Sequence, residues 1–210
     1  MRNFYVVILL VTSFFSNCAH ADDRHWYIGQ GIGQSKLKLN NADFTIALST
    51  SESKDEMGTA YKIYGGYRFN RYFSAEGGYT YLGKAKYRYE TPLGNGEVTF
   101  KARSLNAFAV GGYPIGGFFL FGKLGIATVR TDRSDVELSG LCVFCVQASH
   151  VNTNFAWGTG FQYNFSNGLS IRLEYEDFGK IGTTENLAGS DTEPGRAKAS
   201  LWNVGFLYHF

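Results

Sequence analysis

An all-β fold, an eight-stranded antiparallel up-and-down barrel crossing a membrane, is what this sequence predicts, on three observations. Large apolar residues alternate with small or polar ones in eight separate segments, the period of a strand with two unlike faces. Tight turns alternate with long polar connections, which puts short turns at one end and four long loops at the other. The apolar face is bulky: aromatics make 17% of the chain, more than an eight-stranded lumen can hold. The bulky face must then point outward, where lipid accepts it, and the sheet must close so that no backbone group is left unpaired. A soluble barrel also alternates, and it is this bulk that argues against it.

The chain opens with Met1 and Arg2, an apolar run from Phe4 to Phe15, and Ala19-His20-Ala21. That order reads as a secretory signal peptide over residues 1–21, cleaved after Ala21. Cys18 follows Phe15-Ser16-Asn17 rather than the Leu and small residues that precede a lipidated cysteine. The barrel domain is then 22–210. Its strands fall at about 25–37, 59–69, 72–84, 99–113, 118–130, 153–165, 169–178 and 199–210. Alternation is cleanest late in the chain, where Phe155, Trp157, Thr159, Phe161, Tyr163 and Phe165 share one face. Leu169, Ile171, Leu173 and Tyr175 likewise oppose Ser170, Arg172, Glu174 and Glu176. Residues 69–72, 114–117 and 166–168 read as the tight turns, and 38–58, 85–98, 131–152 and 179–198 as the long external loops. The last strand carries Trp202, Val204, Phe206, Tyr208 and Phe210 on one face, so lipid should cover that face up to the chain end.

Composition narrows the function. Loss of Arg2 with the leader leaves 19 basic against 18 acidic residues, net +1, which does not suit a globally basic nucleic-acid binder. No apolar run long enough for a helical span follows the leader.

Several stretches resemble the OmpA-like transmembrane domain family. YGGYRFNRYFSAEGGYTYLGKAKY (64–87) resembles its second and third strands. WYIGQGIGQS (26–35), VGGYPI (110–115), IRLEYEDFGKIG (171–182) and the final GFLYHF resemble others. The resemblance implies a monomeric eight-stranded barrel in a Gram-negative outer membrane. It also implies that Trp202, Val204, Phe206, Tyr208 and Phe210 form the signal read by the barrel-assembly machinery. Full-length relatives continue into a periplasmic peptidoglycan-binding domain. This sequence stops at the barrel, so wall anchoring by that route is not expected.

Four groups of residues are candidates for chemistry. Inward-facing charges come first: Lys62, Glu76, Lys123, Arg172, Glu174 and Glu176, with Gln162 nearby. Glu76 and Arg172 resemble the family's interior ion pair, while Gly31 and Val110 stand where the family carries lysines. If the 69–71 turn sets residue 64 opposite 76, Lys62 lies diagonal to Glu76 and compensates. The cluster is a static plug or the gate of a small pore, which the missing lysines would make wetter. Second, Cys142 and Cys145 in the third loop read as a disulfide in an oxidising compartment; with His150 they supply three metal ligands and lack a fourth. Third, Lys84, Lys86, Arg88, Lys101 and Arg103 flank PLGNG (92–96). Its Gly-Asn-Gly turn implies strands extending past the membrane, where these cations could meet lipopolysaccharide phosphates. Fourth, the apolar stretch ADFTIAL (42–48) in the first loop could contact a partner.

Catalysis is not expected. Only His150 is near the external loops, with no nucleophile elbow beside it; GQGIG (29–33) lacks the spacing and the helix of a nucleotide loop. The expected function is a structural and surface-interaction role through the external loops. The alternative is a low-conductance ion pore gated by lumen charges, and a third reading is a lipid-modifying enzyme. Expected partners are outer-membrane lipid and lipopolysaccharide, the assembly machinery and host or phage surface ligands. No nucleic acid, cofactor or metal is expected.

Overall fold

The computed structural model describes residues 25–39, 51–55, 57–91, 94–137, 147–181 and 197–210. These form β1 (Trp26–Leu39), β2 (Ser51–Asp55), β3 (Met57–Arg68), β4 (Phe73–Thr91), β5 (Gly94–Ile115), β6 (Phe118–Glu137), β7 (Gln147–Asn164), β8 (Leu169–Ile181) and β9 (Ala197–His209). All pairings are antiparallel. The short β2 pairs with the outer part of β4, the partner of β3, so β2 and β3 share one of the barrel's eight staves. β1 pairs with β9 from Tyr27↔His209 to Leu39↔Ala197, which closes the barrel between first and last strands. The expected signal peptide over residues 1–21, residues 42–48 and Cys142 with Cys145 lie outside the described residues.

Three tight turns sit at one end. Asn70 Oδ1 accepts hydrogen bonds from the N–H groups of Tyr72 (2.8 Å) and Phe73 (2.9 Å). Asn167 Oδ1 accepts from Leu169 N–H at 3.1 Å. Gly116 takes the left-handed conformation (φ 60°) that the β5–β6 turn needs.

The faces divide as bulk demands. Outward residues such as Ile32, Ile63, Leu105, Leu124, Phe155 and Phe206 are exposed, and inward ones are buried. Trp202, Val204 and Phe206 are exposed and Tyr208 half-buried on the outer face of β9, and Phe210, the residue after it, is exposed as well.

Two expectations about the outer end need correction. The stretches 85–98 and 131–152 are not simply loops: β4 runs on to Thr91 and β5 begins at Gly94, the extension expected of the second hairpin, while β6 reaches Glu137 and β7 starts at Gln147, where only a loop was expected. A membrane strand needs only about 9–11 residues, and β5 has 22. Beyond the lipid both faces are wet, so alternation fades from the sequence while backbone pairing continues. The hairpin also reverses between Thr91 and Gly94, which pair with each other. Gly94, Asn95 and Gly96 are therefore paired strand, not the turn.

Two bulges reset the facing of the strands at the outer end. In β4, inward residues are even-numbered up to Leu82; Gly83 at φ 83° shifts the register, and Lys84 then points out and Ala85 in. In β8, Gly179 at φ 75° does the same, with Phe178 inward and Lys180 outward. A Cβ at Gly83 would also meet Thr59 O at 2.8 Å. Gly83→Ala is therefore expected to destabilise the barrel by about 1–3 kcal/mol. Gly77→Ala, whose Cβ would lie 3.9 Å from its nearest neighbour, is expected to be close to neutral. Urea titration in lipid vesicles, followed by loss of the heat-modifiable gel band, compares the two.

Candidate functional site

The lumen is built in layers. Next to the short turns lie aromatic rings. Tyr27 and Tyr64 sit on adjacent strands, each directly opposite a glycine, Gly66 and Gly29. A Cβ on Gly29 would come within 2.5 Å of the Tyr64 ring, and one on Gly66 within 2.2 Å of the Tyr27 ring. The glycines are thus the space into which the two rings fold.

Above them lies the ionic layer. β8 projects Arg172, Glu174 and Glu176 inward at alternate positions, and the cations that meet the two glutamates come from other walls. Lys62 Nζ on β3 donates to Glu174 Oε1 at 2.6 Å and Glu176 Oε1 at 2.9 Å. Lys123 Nζ on β6 lies 2.7 Å from Glu174 Oε2 and 2.7 Å from Glu176 Oε1. Arg172 Nη1 donates to Glu76 Oε1 at 2.6 Å, and Tyr27 OH donates to the same oxygen at 2.9 Å. Gln162 Oε1 accepts from Arg172 Nε at 3.0 Å and Nη2 at 2.9 Å, and Asn203 Nδ2 donates to Glu174 Oε1 at 3.1 Å. Three cations and three carboxylates form one neutral group, with side chains no more than 4% exposed. The guanidinium also lies over the Phe121 ring, 4.7 Å from its centre.

An apolar layer covers the network on the outer side. Leu82 and Phe178, the two residues just before the bulge glycines, are fully buried there with Ala85, Ala102, Val129 and Leu201.

The structure brings all six sequence-selected charges together, but not by the expected register. Gly66, not Tyr64, stands opposite Glu76, and Lys62 opposite Thr80. The turn accounts for the difference: Phe69 and Asn70 N–H both donate to Phe73 O, so the reversal sits further along the chain than 69–71. Lys62 consequently reaches across the lumen to β8 instead of diagonally to Glu76. Gly31 faces Lys62 in register and Val110 faces Lys123, so each small position stands beside a lysine that occupies the lumen. Tyr27, Tyr64 and Asn203 were missed; period-2 facing with the β1–β9 closure would have placed Asn203 inward.

The other candidates are scattered. Lys84 and Lys101 are exposed and directly opposite each other, with Arg103 opposite Arg130 on the next pair. Asp132 binds both arginines, Nε of Arg130 at 3.1 Å, and those hydrogen bonds, Arg103's first, hold its carboxyl below the usual value. Lys86 and Arg88 lie in β4, and their side chains fall outside what is described. His150 is half-buried on β7 opposite Thr131. Among the described residues no group of three His, Cys, Asp or Glu is arranged to hold a metal.

Truncating one member of the network strands a partner. Glu76→Ala removes the carboxylate that the Arg172 guanidinium hydrogen-bonds, leaving Glu174 at 3.8 Å, and is expected to cost about 3–5 kcal/mol. The exposed Lys36→Gln is expected to change stability by no more than about 0.5 kcal/mol. Equilibrium unfolding in vesicles by tryptophan fluorescence measures both.

The model of the OmpA-like transmembrane domain matches residues 21–210. Outer membrane protein A of Shigella flexneri is 26% identical over 213 residues, covering all of this chain and 56% of that protein. The Escherichia coli O157:H7 protein is 27% identical over 218 residues, with 100% and 55% covered. The chain thus spans about half the length of these relatives. Among solved structures, OprG of Pseudomonas aeruginosa superposes with TM-score 0.58 at 13% identity, covering 90% of this chain and 98% of that one. Ail, the attachment invasion locus protein of Yersinia pestis, in complex with the heparin analogue sucrose octasulfate, gives 0.50 at 19%, with 89% and 99% covered. These similarities fix the barrel as a bacterial outer-membrane protein, and the chain belongs to the OmpA-like transmembrane domain family.

Proposed function

We propose that this protein is a structural outer-membrane barrel whose specific role is exercised outside the membrane, by its loops and the long β4–β5–β6 wall. The observation that carries this reading is the filled lumen. An ion needs a continuous polar path, and here a neutral layer of three cations and three carboxylates lies between aromatic rings and the apolar layer of Leu82 and Phe178. A rigid barrel with a filled interior offers its surface for contact. β5 supports the outward emphasis, with 22 residues where the lipid needs about half as many. Ail, which shares the fold, binds a sulfated sugar analogue, and a polyanion is one class of ligand that the exposed Lys84 and Lys101 would accept. The loop bearing Cys142 and Cys145, stapled by a disulfide, would be a preformed part of that surface. The outward face of β9 from Trp202 to Phe210 would be read by the assembly machinery before closure with β1.

The second reading, a gated pore, rests on the network being breakable: its lysines hold their carboxylates by hydrogen bonds that a rearrangement could exchange. Ion conductance in planar bilayers separates the two. The refolded wild-type chain is expected to show no steady channels, and Glu76→Ala to show leak if it opens the charge layer. Steady wild-type channels altered by the substitution would instead make the network a gate and overturn the structural reading.

A further inference from the structure

On the side of the barrel away from the β4–β5 hairpin, three lysines stand side by side. Lys38 on β1 pairs with Lys198 on β9, and Lys198 pairs with Lys180 on β8. All three are exposed, and Lys36 on β1 is exposed beside them. Like charges directly opposed across strands repel. The carboxylate described among them is Asp177, whose Oδ2 lies 3.0 Å from Lys198 Nζ. Among the described residues, one carboxylate against three ammonium groups leaves the row with an excess of two positive charges.

The row does not follow from simple alternation. Without the bulge at Gly179, Lys180 would face the lumen. Asp177 Oδ1 accepts the Gly179 N–H at 2.9 Å and holds the bulge that sends Lys180 outward. The same three-residue arrangement recurs at Leu82-Gly83-Lys84, where the outward lysine also meets a lysine, Lys101. The fold thus twice uses a left-handed glycine to place a second lysine against a first.

The height of the row identifies what it meets. Trp157, Tyr175 and Trp202 form a chain of rings on the outer face of β7, β8 and β9, with centroids 5.7 and 5.1 Å apart. Such rings mark the boundary between hydrocarbon and headgroups. Lys198 is four residues beyond Trp202, about 13 Å along the strand and less along the membrane normal, because barrel strands tilt. That is headgroup depth in the outer leaflet. Lysine is a compact point charge suited to phosphate.

We propose that Lys38, Lys180 and Lys198 form a seat for the phosphate of a phosphorylated outer-leaflet lipid. It is separate from the cations around the β4–β5 hairpin. The proposal rests on the membrane placement and not on the closed lumen, so a conducting barrel would leave it standing.

The test uses the full barrel in detergent, with bound lipid counted by native mass spectrometry. The probes are diphosphorylated lipid A, its dephosphorylated form and inorganic phosphate. The variants are K38Q/K180Q/K198Q and Asp177→Asn, which removes the competing charge and keeps the oxygen that caps Gly179. A heat-modifiable gel band shows that each variant is folded. Wild type is expected to bind diphosphorylated lipid A roughly tenfold more tightly than the triple variant. The two should not differ toward the dephosphorylated form, and Asp177→Asn should bind more tightly than wild type. Equal binding of lipid A by wild type and triple variant would overturn the proposal. Displacement of lipid A by inorganic phosphate alone, at concentrations where the bound lipid tail should hold it, would assign the seat to free phosphate and overturn the lipid.

Discussion

Everything inside this barrel is arranged around one electrostatic constraint. Six ionised side chains are held where water hardly reaches, and each can remain charged only while the others stay in place. Desolvation of an isolated buried ion costs several kcal/mol. Here Glu174 is offset by Lys62 and Lys123 at hydrogen-bond distance, and Glu76 by Arg172. The members come from β3, β4, β6 and β8, so the network ties separate walls of the barrel to one another. A mismatched pairing of strands would leave several of these charges without partners. The network therefore selects the native register as much as it stabilises it.

The same constraint explains where glycine is used. A lumen that must hold two lysines, an arginine and two tyrosines has little space for other side chains, so Gly29 and Gly66 give theirs to the rings opposite. The bulge glycines have a different task. They end the ionic section by turning the following lysines outward and bringing Ala85 and Ile181 inward beside Leu82 and Phe178, which face the lumen by ordinary alternation. One backbone device thus seals the interior and charges the rim. The charged rim and the closed interior are linked through these two residues.

The fold was legible because lipid enforces alternation. Where it does so, in 153–165 and 169–178, strand positions and facing read directly from residue type. Where it stops, the reading stopped as well: nothing in the polar stretch 131–137 distinguishes a paired extension of β6 from a loop. The six lumen charges were legible for the same reason, since parity alone placed them inside. Their partners were not. Register depends on the length of one turn, and Asn70 closes the β3–β4 turn later than the sequence suggested, which sends Lys62 to Glu174 and Glu176. Lys38, Lys180 and Lys198 went unnoticed because they are far apart in sequence, and only closure of β1 on β9 with the Gly179 bulge aligns them. The repeat of an apolar residue, Gly and Lys at 82–84 and 178–180 was the available signal.

A double-mutant cycle between Lys62 and Glu176 tests the central claim most directly. Lys62→Met, Glu176→Gln and the pair keep side-chain length while removing one cation, one anion or both. If the network is a single neutral unit, the double variant, again neutral, loses less stability than the two single losses added together. A coupling of about 1–3 kcal/mol is the expected result. Strict additivity of the two losses would mean that these charges do not depend on one another, and would contradict the account of the lumen given above.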